Sequence, residues 1–209
     1  MFGTTNLPAF ILAAILLNLS PGADTMYILG RSISQGRKAG IYSVLGIVTG
    51  AFIHTTLVAF GLSLIVAKSA TAFNLIKYLG ALYLVYLGIK MLLAKPENKL
   101  SLATGQISSG KLYISGILTN LLNPKVILFF LVFLPQFVKS SQIHNPAPYL
   151  MLGIIFIIPG TIWCIILAVF AAALSNKIKE NNNVSLWLNR VTGGVFILLG
   201  LKLALLSKK

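Results

Sequence analysis

The chain has little with which to build an enzyme. Among 209 residues only Asp24, Glu97 and Glu180 are acidic, one residue is cysteine and two are histidine. Cys164 is alone, so it forms no intramolecular disulfide and no reactive cysteine pair. His54 and His144 are distant in sequence, and with so few carboxylates no metal-ligand set is visible. No GxxxxGK[ST] or GxGxxG follows a strand pattern, so nucleotide-phosphate chemistry has no loop to work on, and no nucleophile-base set stands out. Charge of either sign is scarce too, at 10% of residues against about 25% in a soluble domain. The 17 Lys and Arg residues give a formal charge of +14, but they are scattered through loops and span ends. No basic domain holds a duplex, and nucleic acid is not an expected partner.

Apolar sequence is abundant. The chain is 57% hydrophobic with a mean hydropathy of +0.90, the composition of a membrane protein whose partner is the lipid bilayer. Because about 20 helical residues cross the hydrocarbon core, six spans are predicted, near residues 7–29, 40–67, 70–93, 112–138, 148–174 and 186–206. The opening "MFGTTN" has no Lys or Arg for a signal-peptide n-region, so residues 7–29 are kept as a span. The expected fold is all-α and polytopic, a single membrane domain over residues 1–209.

Two halves of the chain echo each other. "YLGIKMLL" at 86–93 parallels "LLGLKLAL" at 198–205, and "GAFIHTTLVAF" from Gly50 parallels "GTIWCIILAVF" from Gly160. "NLSPGAD" in span one and "LLNPK" in span four both place a proline mid-span, with Ser20 and Pro21 matching Asn123 and Pro124. Repeat one is placed at about 1–99 and repeat two at about 100–209. Three spans per repeat is an odd number, so the repeats have inverted topology, an arrangement typical of secondary transporters, whose substrates sit between repeats at broken helices. Helices one and four are the predicted broken helices. The larger set of basic residues, including Arg31, Arg37, Lys38, Lys90, Lys95 and Lys99, flanks connections one-two, three-four and five-six, which places both termini outside the cytoplasm.

The candidate site is the pair of breaks. Asp24 is the one acid within a span, and intramembrane acids mark ion or substrate pathways; alternatively it pairs with a basic neighbour. Lys125 either attracts a substrate carboxylate or neutralises Asp24. Asn18, Ser20, Thr119, Asn120 and Asn123, beside Pro21, Gly22 and Pro124, either bind substrate or satisfy backbone groups that proline frees. His54 either relays protons or bridges helices, Gly46 and Gly50 form a face for close helix packing, and Tyr83 and Tyr86 either line a cavity or pack span three.

Taken together, "NLSPGAD", "GRKAG" (36–40), "YLGALYLVYLGIKML" (78–92), "NPKVILFF" (123–130) followed by "PQF", and "GGVFILLGLKLAL" (193–205) resemble the LysE/RhtB family of amino-acid exporters. The resemblance covers nearly the whole chain in order. It implies a six-span carrier of the bacterial inner membrane, not an enzyme, that exports amino acids or close derivatives with protons as the energy source and without a cofactor. It also implies that Pro21, Gly22, Asp24, Asn123, Pro124 and Lys125 form the transport site. One departure is Ala23, where the family usually has a second proline, which leaves the break less rigid. Export of a cation or metal ion, with Asp24 as ligand, and a non-transporting assembly role are the alternatives. The sequence names neither the substrate nor the oligomeric state, a homodimer included.

Overall fold

A computed structural model describes residues 3–62 and 107–173 continuously, and isolated positions between 78 and 93 and between 190 and 201. Most of spans three and six, Tyr83 included, therefore lies outside the described residues. Among the described residues the named elements are all helices, joined by short non-helical connections, with one antiparallel bridge between Thr4 and Val138.

Helix α1 (Leu7–Leu19) begins after Asn6 in the left-handed region and ends at Ser20, which is extended at φ −66°, ψ 127°. A local bias contributes, because a proline disfavours the helical region for its predecessor, and Ser20 precedes Pro21. Helix α2 (Ala23–Leu57) restarts after Gly22 and is continued by a π-helical turn, Val58–Leu62. The same rule ends α3 (Ser109–Leu121): Asn123, before Pro124, is extended at φ −72°, ψ 109°. Helix α4 (Pro124–Leu128) then runs through a π turn, Phe129–Phe133, into a 3-10 turn, Leu134–Phe137, and the two pieces of this span are bent by 50°. Both predicted breaks are present. Helix α5 (Pro146–Ala173) carries Pro159 without stopping.

One boundary differs from expectation. Span one was placed at 7–29 with a loop before residue 40, yet the helix continues through residue 35 and reverses at a single residue, Gly36, with φ 82° and ψ 179°. Only glycine adopts that conformation without strain. The two arms of α2 lie side by side: Gly40 sits against Ser32, and Ile28 clusters with Val44 and Ile47. The connection before residue 40 is therefore a one-residue hairpin turn, because residues 31–35 have no helix breaker and the helix continues through Gly30.

Packing divides into two unequal cores. The larger joins α1, the segment 126–138 and α5 through Phe10, Phe129, Phe130, Phe133, Phe137, Tyr149 and Phe156, with ring centroids 4.5 Å apart for Phe129 and Phe156 and 5.2 Å for Phe10 and Phe137. The smaller core, nearer the Gly36 turn, rests on Ile28, Val44, Ile47 and Ala168. Glycines bring α2 and α3 close: Gly46 meets Gly116 and the Tyr113 carbonyl, so the Gly46/Gly50 face packs helices within the chain.

Candidate substrate site at the two helix breaks

The two breaks lie against each other, and each charged residue is held by the helix end of the opposite break. Lys125 is in the first turn of α4, where a cation opposes the helix dipole. Its side chain crosses to the end of α1 instead, and Nζ donates to the carbonyls of Leu17 at 2.9 Å and Ser20 at 2.8 Å. These are carbonyls that a helix end leaves without partners. Asp24 is in the first turn of α2, where an anion suits the dipole, and its Oδ2 accepts from Asn120 Nδ2 at 2.8 Å, near the end of α3. Asp24 and Lys125 do not form a direct ion pair, so mutual neutralisation by contact is not what holds them.

Polar capacity is left over at this junction. Asp24 Oδ1, Asn120 Oδ1 and Asn123 Nδ2 are buried without a hydrogen-bond partner, and an ammonium has three donors of which Lys125 uses two. A cavity of about 50 Å³ lies among Asn18, Gly22, Asp24, Asn120, Asn123 and Lys125, closed on its apolar side by Ile47, Val48, Ala51, Phe156 and Ile157. By that measure it has room for roughly four water molecules. Its groups supply acceptors for an ammonium beside donors for a carboxylate.

The other predicted residues fall into supporting places. Ser20, Pro21 and Pro124 shape the breaks without lining the cavity; Ser20 is fully buried and uses its carbonyl on Lys125. Asn123 caps α4, its Oδ1 accepting from the Lys125 amide at 3.1 Å. Thr119 donates back to Ser115 at 2.7 Å, a local role. His54 bridges helices, with Nε2 3.4 Å from the Asn120 carbonyl and its ring stacked on Phe130. Tyr86 is exposed. Sequence reasoning missed the wall from α5, namely Phe156, Gly160, Thr161 and Cys164. Gly160 carried a signal, its repeat match to Gly50, and its role is now visible. A Cβ on Gly160 would lie 2.8 Å from Asn18 Oδ1, and one on Gly50 would lie 2.8 Å from Asn120 Oδ1. Asn18 also donates to the Phe156 carbonyl at 3.1 Å.

The family of LysE type translocators matches residues 15–207, spanning both breaks and everything between them. The chain belongs to the LysE translocator family. Members of this family are transporters rather than enzymes, and this chain is a multi-pass membrane protein. Among its relatives, an uncharacterized membrane protein, YrhP, of Bacillus subtilis (strain 168) is 34% identical over 209 residues, covering 96% of this chain and 99% of the relative. An uncharacterized membrane protein of Vibrio cholerae is 32% identical, covering 94% and 95%. The homoserine/homoserine lactone efflux protein of Salmonella typhimurium is 34% identical over 196 residues, covering 94% of each. No solved structure matches this LysE-type chain.

Proposed function

We propose that the chain is a secondary active exporter of a small amino acid or close derivative across the bacterial inner membrane, driven by the proton gradient. The observation that carries this reading is the cavity between the breaks, where an unpaired carboxylate oxygen of Asp24 and the amide oxygen of Asn120 stand near the amide nitrogen of Asn123 and the ammonium of Lys125. A zwitterion presents the complementary charges: its ammonium goes to Asp24 and Asn120, its carboxylate to Asn123 and Lys125. Its side chain then meets the apolar wall of Ile47, Ala51 and Phe156. Asp24 is the lining group suited to exchange a proton for the substrate ammonium. The efflux relatives named for homoserine and its lactone support the substrate class.

The six-helix architecture with inverted repeats is part of the same proposal. Exchange of repeats maps span one onto four and two onto five. The contact of Asn18 with Gly160 then has a counterpart in that of Asn120 with Gly50, one residue out of register with the Pro21–Pro124 match, and a Cβ on either glycine would lie 2.8 Å from the asparagine Oδ1. Such reciprocity is what two inverted repeats produce. With the basic turn at Arg37 and Lys38 on the cytoplasmic side, both termini lie outside.

The test uses inside-out membrane vesicles under an imposed pH gradient, offered a panel of labelled amino acids with homoserine and homoserine lactone included. Gradient-dependent uptake of at least one of them, abolished by an uncoupler, is the expected result. Movement of a metal ion with no movement of any amino acid or derivative overturns the reading.

A further inference from the structure

A second cluster of unsatisfied polar atoms lies outside the cavity. Arg31 Nε and Nη1 are buried and have no hydrogen-bond partner, and the hydroxyl of its neighbour Ser32 is in the same condition. A buried guanidinium nitrogen without an acceptor costs more than most side-chain defects, so its retention calls for a reason. The guanidinium is held in place by an aromatic platform, its carbon 5.8 Å from the centre of the Tyr27 ring, and that ring is fixed in turn by the Tyr27 hydroxyl donating to the Leu112 carbonyl at 2.9 Å. Packing thus orients the guanidinium and leaves Nε and Nη1 unused.

Position supplies the second half of the argument. Residues 24, 27, 28 and 31 follow one face of the first arm of α2, so Arg31 is about 10 Å along that arm from Asp24, toward the Gly36 turn. Only the small core around Ile28, Val44 and Ile47 separates the two levels, and Ile47 also lines the cavity. Asp24 is the one acid among the described residues, so no second carboxylate there competes for the guanidinium.

We propose that Arg31 is a carboxylate-recognition site on the path between the Gly36 turn and the cavity, which takes the carboxylate of the transported solute before it reaches Asp24 and Lys125. This rests on the reading of the chain as an amino-acid exporter. Arg31 therefore determines specificity: it separates solutes that carry a free carboxylate from neutral or esterified ones that fit the same cavity. A planar fork suits the two oxygens of a carboxylate better than a point charge does. A phosphate of an anionic lipid has the same chemistry and is the competing source of an oxyanion.

The experiment compares wild type, Arg31→Gln and Arg31→Lys, each first by thermal melting of the purified protein and then by transport in proteoliposomes. Melting is followed with L-homoserine and L-threonine against homoserine lactone and threonine methyl ester. Wild type should be stabilised more by the acids than by the lactone and ester, Arg31→Gln should lose that difference, and Arg31→Lys should keep part of it. In proteoliposomes the ratio of homoserine to lactone transport should fall by about tenfold or more in Arg31→Gln, through KM rather than maximal rate. An unchanged ratio, or no difference between acids and esters in wild type, overturns the proposal. So does an effect present in membranes containing phosphatidylglycerol and absent in phosphatidylcholine alone, since that assigns the anion to lipid. If no amino acid is transported while the melting difference appears and depends on Arg31, the exporter reading fails and the carboxylate site stands.

Discussion

The two helix breaks solve one problem with different residues. At the second break, Asn123 caps its own helix with its side chain and the first turn carries a cation. At the first, Gly22 is extended and offers no side-chain cap, and the first turn carries an anion. Neither side chain finds its hydrogen-bond partner on its own helix. Lys125 donates to the terminal carbonyls of α1, and Asp24 accepts from Asn120 at the end of α3. The difference shows why two half-helices are needed together: each break supplies what the other lacks, and the donors and acceptors left over face one cavity. A transporter that must release and recapture a solute gains from charges held by carbonyls and amides rather than by each other, because a closed ion pair would have to be broken in every cycle.

The strongest test of that difference is Asp24→Asn, which keeps the shape and one hydrogen bond but removes the anion. Gradient-driven export should fall at least about 100-fold, as expected where a buried charged contact is lost, while the folded protein remains in the membrane at normal abundance. Asp24→Glu should retain part of the activity. Normal transport by the Asn variant, measured in vesicles with abundance followed by blotting, removes Asp24 from the mechanism. Next comes Lys125→Met, which strands the Leu17 and Ser20 carbonyls at a cost of about 1–3 kcal/mol each and should lower both melting temperature and transport. Combining it with Asp24→Asn should restore neither; recovery in the double variant would mean that the two charges neutralise each other directly. The smallest effect concerns the reciprocal glycines. Gly50→Ala and Gly160→Ala each push a methyl into an asparagine at 2.8 Å and should destabilise by a similar amount, about 1–3 kcal/mol. A large cost at one and none at the other, read by thermal melting in detergent, would mean the two halves are not equivalent at this level.

Much of the scaffold was legible because it follows from local chemistry. Pro21 and Pro124 each bias their predecessor away from the helical region, so the two candidate breaks could be placed from residues alone. Asp24 and Lys125 stood out because charge within a span is rare. A turn at "GRKAG" (36–40) was legible, but its tightness was not: span one was expected to end near residue 29, yet the helix runs on through residue 35 and a single glycine does the turning. The wall from α5 was missed because Phe156, Thr161 and Cys164 are ordinary span residues until the fold brings them opposite the breaks.

A pair of identical dipeptides marks the limit most clearly. Pro-Gly occurs at 21–22 and again at 159–160, and the first ends a helix while the second lies within one. By itself the sequence determined that this chain belongs in a membrane, that its helices are weakened at prolines, and that one acid and one lysine sit beside two of those weak points. Tertiary structure decided which weak points open. Around Pro159 the helix continues, with Asn18 of α1 donating to the Phe156 carbonyl and filling the space that Gly160 leaves, whereas at Pro21 the carbonyls of α1 are taken by Lys125 from the other half of the chain. In a bilayer a freed backbone group must find its partner within the protein, and where that partner comes from depends on which helices pack together, which no short stretch of sequence records.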